Sequence, residues 1–111
     1  MISRKEVVEA VLEDMRDAIN SGRYFPQDRD KNIQTLAMLG ITWDDAVDEM
    51  LDLRFCDYIK GPETDRDYPK TDKFWIFKKN VLGNTIYIKF KIEYMIDKDL
   101  KVMSFHIDEW E

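Results

Sequence analysis

The sequence predicts an α+β domain in which N-terminal helices pack on a C-terminal antiparallel β-meander. Two patterns carry this. Through residue 53 apolar side chains recur at spacings of three and four, and from Lys73 to Trp110 they alternate with polar ones at a period of two. Charge divides at nearly the same place. Residues 1 to 57 hold 7 Lys/Arg against 13 Asp/Glu, whereas residues 58 to 111 hold 10 against 10.

Ser3 with Glu6 three residues on makes a capping box. Val8, Val11, Leu12, Met15, Ala18 and Ile19 then form one stripe, so the first helix runs from Arg4 to Asn20, before Ser21 and Gly22. Arg23 to Gln27 is short, aromatic and carries Pro26, which suits an edge strand or a connector. Asp30 can cap a second helix, Lys31 to Leu39, that buries Ile33, Leu36 and Leu39 and closes at Gly40. Thr42 caps a third, Trp43 to Leu53, with Trp43, Ala46, Val47, Met50 and Leu51 on one face. Phe55 to Lys60 reads as extended and enters a loop, residues 61 to 72, rich in turn formers. Three strands follow, with turns around Leu82-Gly83-Asn84 and Asp97-Lys98-Asp99.

The middle strand sets Ile86, Ile88, Phe90, Ile92 and Tyr94 on one side and Tyr87, Lys89, Lys91 and Glu93 on the other. In the last strand Met103, Phe105 and Ile107 form the expected core side, which turns Ser104 and His106 outward. Tyr87, Lys89 and His106 are therefore expected on one polar sheet face.

At 111 residues the chain suits a single domain over residues 1 to 111, long enough to bury a core without covalent staples. Cys56 is the only cysteine, so an internal disulfide is excluded, and a reducing cytoplasm is the expected setting. The charged start lacks the apolar core of a signal peptide, and no run approaches the ~18 apolar residues of a membrane span. The net charge of −6 and pI near 4.8 argue against a nucleic-acid binder when taken whole. Locally the balance differs: Tyr68 to Lys91 holds Lys70, Lys73, Lys78, Lys79, Lys89 and Lys91 against Asp72 alone. Such lysines attract a polyanion within a Debye length of ~8 Å, and equally serve to protect a sheet edge.

Familiar catalytic motifs are few. The scattered glycines make no phosphate loop, and one histidine with one cysteine makes no common zinc site. Glu63, Asp65 and Asp67 have a spacing that could hold Mg²⁺ or Ca²⁺, but they also suit a solvated or salt-bridged loop, and neither metal nor cofactor is expected. An imidazole, with an ordinary pKa of ~6.5, is the side chain best suited to exchange protons near neutrality, which singles out His106. A tyrosine, a histidine and lysines on one face fit metal-free RNA cleavage, in which a base removes the 2′-OH proton, lysines stabilise the phosphate charge and an acid protonates the departing 5′-oxygen. The 2′-OH requirement selects RNA over DNA. Trp75 and Phe77 could stack on bases or pack in the core.

Asp57-Tyr58-Ile59-Lys60-Gly61-Pro62-Glu63, Trp75, Ile86-Tyr87-Ile88-Lys89 and Val102-Met103-Ser104-Phe105-His106 stand in an order that resembles the MqsR family of toxins from bacterial type II toxin–antitoxin systems. Ile19-Asn20-Ser21-Gly22, Lys31-Asn32-Ile33-Gln34-Thr35-Leu36 and Leu39-Gly40-Ile41 extend the likeness over nearly the whole chain. The resemblance implies a RelE-like fold, endoribonuclease activity on messenger RNA, and neutralisation by a cognate antitoxin. It assigns catalytic roles to Tyr87 and Lys60 and places His106 where the best-known member has a functional lysine. Ile76 replaces the family's catalytic glutamine. The expected RNA-binding residues are Lys89, Lys91 and Lys78, and the expected partners are RNA and the antitoxin, with a homodimer as a further option. The rival from another class is a non-catalytic protein- or RNA-binding module, whose acidic helices would engage a partner.

Overall fold

A computed structural model describes residues 1–67 and 73–108. Lys70, Asp72 and Trp110, which enter the sequence patterns above, lie outside them. Helix α1 spans Arg4–Asn20, strand β1 Tyr24–Pro26, helix α2 Asp30–Leu39, helix α3 Trp43–Met50, and strands β2 to β5 span Tyr58–Glu63, Phe74–Val81, Asn84–Glu93 and Asp99–Ile107. The sheet order is β1-β5-β4-β3-β2; β1 runs parallel to β5 and every other pair is antiparallel. The fold is α+β, with the expected meander extended by one strand on each side.

The expected capping box of α1 forms, and the Thr42 cap of α3 is completed into a second one. Ser3 Oγ accepts from the Glu6 amide while Glu6 accepts from the Ser3 amide, each at 3.2 Å, and Thr42 and Asp45 do the same at the start of α3. The whole predicted stripe of α1 is buried, and it packs with Ala46, Val47 and Met50 of α3 on one face of the sheet. From the sheet that core receives Trp75, Phe77, Ile86, Ile88, Phe90 and Ile92, with Phe77 and Phe90 stacked at 5.5 Å. Trp75 and Phe77 are therefore core residues, closed to base stacking on the opposite face.

Helix α2 departs from the expected pattern. Ile33 is 43% exposed and Leu39 only half-buried, while Asn32 and Thr35 are buried with Leu36. The helix lies against the free edge of β5, beyond short β1, where backbone groups need polar partners more than oil. Gly40 closes it at φ 68°, a left-handed C-cap.

Strand β2 starts after a short 3-10 turn at Phe55–Asp57 and continues through Gly61 to Glu63, where a loop was expected. Gly61 permits this: at φ 134° a Cβ there would lie 2.8 Å from the Phe74 carbonyl oxygen. The β3–β4 connection is a two-residue loop with Leu82 and Gly83 both at positive φ, the backbone of a type I′ hairpin. Tyr94 leaves the alternation of β4: it is 44% exposed in the β4–β5 turn and donates its hydroxyl to Asp14 at 2.6 Å.

Met103 is not a core residue either. A bulge between the Lys89–Ser104 and Phe90–Val102 pairs leaves Met103 without an opposite. The extra residue lets Val102 and Phe105, three apart, both face the helices, so the outward direction of Ser104 and His106 is set only past this irregularity.

Candidate active site

On the face of the sheet away from α1 and α3, Tyr87 of β4 stands directly opposite Lys78 of β3 and His106 of β5. Direct cross-strand partners share a face with Cβ atoms ~5 Å apart. The Tyr87 and His106 rings accordingly stack, with centroids 5.3 Å apart and planes within 18°. His106 Nδ1 lies 2.9 Å from the Ile107 carbonyl oxygen. A carbonyl only accepts, so Nδ1 carries the hydrogen and the lone pair of the neutral ring falls on Nε2.

Burial pushes the Tyr87 phenol above the usual tyrosine range. Lys60 and Lys78 pull it down, and Glu63 and Asp108 push it back up. These charges pair with one another: Lys60 Nζ is 3.1 Å from Glu63 and Lys78 Nζ is 2.9 Å from Asp108. With the charges largely offset, desolvation decides, and Tyr87 is a neutral phenol at pH 7, able to donate a proton.

The remaining lysines separate by face. Lys79 is on the helix side, held by Glu49. Lys91 is bridged to Asp65 at 3.6 Å and Glu93 at 3.9 Å. Lys89 lies opposite Ser104, one row from the Tyr87–His106 pair, with its ammonium 4.5 Å from the Phe74 ring centroid. No carboxylate pairs with Lys89 among the described residues. Ile76 is buried opposite Lys89, so this position carries no polar group. Glu63, Asp65 and Asp67 do not converge: the first two are engaged by Lys60 and Lys91, and among the described residues no three His, Cys, Asp or Glu side chains are grouped to hold a metal ion.

Sequence reasoning missed the residues that hold the histidine strand. Asn32 Oδ1 accepts from the Phe105 amide at 3.0 Å, and its Nδ2 donates to the Met103 and Gln27 carbonyls at 3.1 and 2.9 Å. Thr35 Oγ1 accepts from the Ile107 amide at 3.0 Å. Two side chains one helical turn apart thus replace the missing neighbour strand on both sides of His106, and Ile107 is also the residue whose carbonyl orients the imidazole. The available signal was a polar pair at i, i+3 beside the apolar positions of α2.

A neutral phenol, an imidazole with an open Nε2 and lysines one residue pair away can exchange protons with a ligand while stabilising negative charge on it. No protein-family model matches this chain, and no curated protein matches it.

Proposed function

We propose that this protein is a metal-independent endoribonuclease that cuts messenger RNA, the toxin of a type II toxin–antitoxin pair similar to the MqsR family, acting in the cytoplasm and restrained by a cognate antitoxin. The observation that carries the reading is the Tyr87–His106 stack, with Nε2 meeting no hydrogen-bond partner among the described residues. His106 Nε2 removes the 2′-OH proton, the 2′-oxygen attacks the adjacent phosphorus, and the Tyr87 phenol protonates the departing 5′-oxygen. The products are a 2′,3′-cyclic phosphate and a free 5′-hydroxyl. Lys89 faces the phosphate from the next row, and Lys60 and Lys78 supply charge around the phenol, exchanging their carboxylate partners for phosphate oxygens. No helix among the described residues is long and apolar enough to cross a membrane, in keeping with the proposed location.

The test is cleavage of an unmodified RNA by purified protein. His106→Ala is expected to lower the rate by roughly 10²- to 10⁴-fold, the usual contribution of a general base, and a 2′-deoxy substrate should stay intact. Full activity of a Tyr87→Phe, His106→Ala double variant would sink the assignment. The ion pairs at Lys60, Lys78 and Lys91 favour a second reading, a non-catalytic binding module with a weakly charged sheet face. Under it, wild type and variant leave RNA equally whole and do not slow growth when expressed alone.

A further inference from the structure

Beside the Tyr87–His106 pair, on the same face of the sheet, lies a cleft of about 990 Å³. Its floor is Phe74, Lys89, Lys91 and Met103, one rim carries Gln27, Arg29 and Lys101, and the other is the segment from Glu63 to Asp67. We propose that this cleft is a second nucleotide subsite for single-stranded RNA, in which Arg29, Lys89 and Lys101 hold backbone phosphate and Phe25 stacks on a base. The ligand class rests on the ribonuclease reading; the residues and their geometry do not.

Three features single out these side chains. First, three of the four carboxylates that line the cleft are already used: Asp65 and Glu93 are drawn to Lys91, and Glu63 to Lys60, which leaves Asp67 on the rim opposite Arg29 and Lys101. Arg29, Lys89 and Lys101 have no carboxylate partner among the described residues, so their charge is available to an incoming anion. Second, Lys101 stands directly opposite Lys91. Asp65 and Glu93 offset the charge of Lys91, so Lys101 is the cation of this facing pair left to be neutralised, and a bound phosphate does so. Third, Phe25 pairs with Lys101 from edge strand β1, is 47% exposed, and has the Lys101 ammonium 5.8 Å from its ring centroid. An exposed ring beside cations on an open face is what a nucleobase stacks on.

The placement also suits one continuous strand. Lys101 faces Lys91, four residues from Tyr87 along β4, a separation of ~13 Å at ~3.3 Å per residue. Lys89 lies between. An RNA chain with its scissile phosphate at Tyr87 and His106 thus passes Lys89 and reaches Arg29, Lys101 and Phe25 within a short run of nucleotides.

The experiment measures binding of a labelled 2′-O-methyl RNA oligonucleotide, which lacks the attacking hydroxyl, across a salt series, with cleavage of the unmodified RNA followed in parallel. Each lost phosphate contact should flatten the slope of log affinity against log salt by ~0.7, so Arg29→Gln and Lys101→Gln should each do so. Phe25→Ala should weaken binding roughly tenfold or more with little change in slope. Lys5→Gln, on the exposed side of α1, should bind like wild type. Cleft variants that bind as wild type does, or a Lys5→Gln variant that loses as much, overturn the subsite. If RNA is cleaved while the cleft variants bind normally, the subsite falls and the ribonuclease reading stands. If RNA stays whole while binding depends on the cleft, the subsite stands and the ribonuclease reading falls.

Discussion

Strand β4 presents two faces built on opposite principles. Toward the helices, Ile86, Ile88, Phe90 and Ile92 are each at most 1% exposed, and nothing polar is needed to hold them. On the other side, Tyr87, Lys89, Lys91 and Glu93 are half-buried, and each is held by a named ring or ion pair. The first face contributes stability through area and fit. The second contributes less through area, and its more exposed ion pairs, such as Lys60–Glu63, are worth ~0–1 kcal/mol each, so its arrangement is free to serve chemistry. A residue period of two separates the requirements of folding from those of function within one strand.

The largest effect should come from damaging the apolar face. Phe90 stacks on Phe77 and is fully buried, so Phe90→Ala is expected to cost ~3–5 kcal/mol in a denaturant titration. An outer-face change such as Lys89→Ala should stay within ~0.5 kcal/mol. Comparable losses from both would mean that the outer face is a second core and would erase the distinction.

The sharpest exception to oil inside and charge outside is the edge of β5. Asn32→Ala removes the three hydrogen bonds of a fully buried side chain and leaves the Phe105 amide and the Met103 carbonyl without this partner, an expected cost of ~2–3 kcal/mol. Ile33→Ala, on the exposed flank of the same helix, should cost under ~0.5 kcal/mol. Hydrogen exchange separates this from general loosening: the Phe105 amide should lose protection in Asn32→Ala while the amides of β4 opposite β3 keep theirs. The reverse ranking would show that α2 packs through its apolar residues after all.

How much of this was legible follows from the physics of each element. Helix α1 and β4 are amphipathic around a single covered face, so periodicity alone reveals their buried residues. The pairing of Tyr87 with His106 on the polar face followed from the same alternation. Helix α2 is only partly legible because it also covers a strand edge, where hydrogen-bonding capacity is selected; Leu36 and Leu39 reach the core as expected, whereas Ile33 is exposed. Met103 was misread because a bulge changes the phase of β5 midway, and a bulge leaves no compositional mark in a strand of mixed residues. The pairing of Lys78 with Asp108, and of Lys91 with Asp65, joins residues far apart in sequence, so a lysine count overstated the charge this face offers. The same distance concealed Arg29, which lines the cleft from the loop after β1, and Phe25, which stands beside it against Lys101.

The smallest expected effect compares one phenol from each face. Tyr24 sits on the helix side of β1 and donates to Asp44 at 2.7 Å, and this hydrogen bond is the chief cause that raises its pKa, followed by desolvation and by the charges of Asp44 and Asp48. Tyr87 is raised chiefly by burial, with the lysine and carboxylate charges around it opposing one another. In both cases the folded chain holds the proton more tightly than the unfolded chain, whose tyrosines titrate near ~10. The resulting stabilisation is complete below that pH and is lost as the pH rises through the folded values, so the melting temperature should fall as the pH is raised above ~10. Phenolate absorbance resolves the causes. Asp44→Asn should return Tyr24 toward its ordinary value and leave Tyr87 unmoved, whereas Lys60→Gln should push Tyr87 higher and leave Tyr24 unmoved. A common shift of both tyrosines in either variant would mean that the faces are electrostatically coupled through the sheet, and the division of labour along β4 would no longer hold.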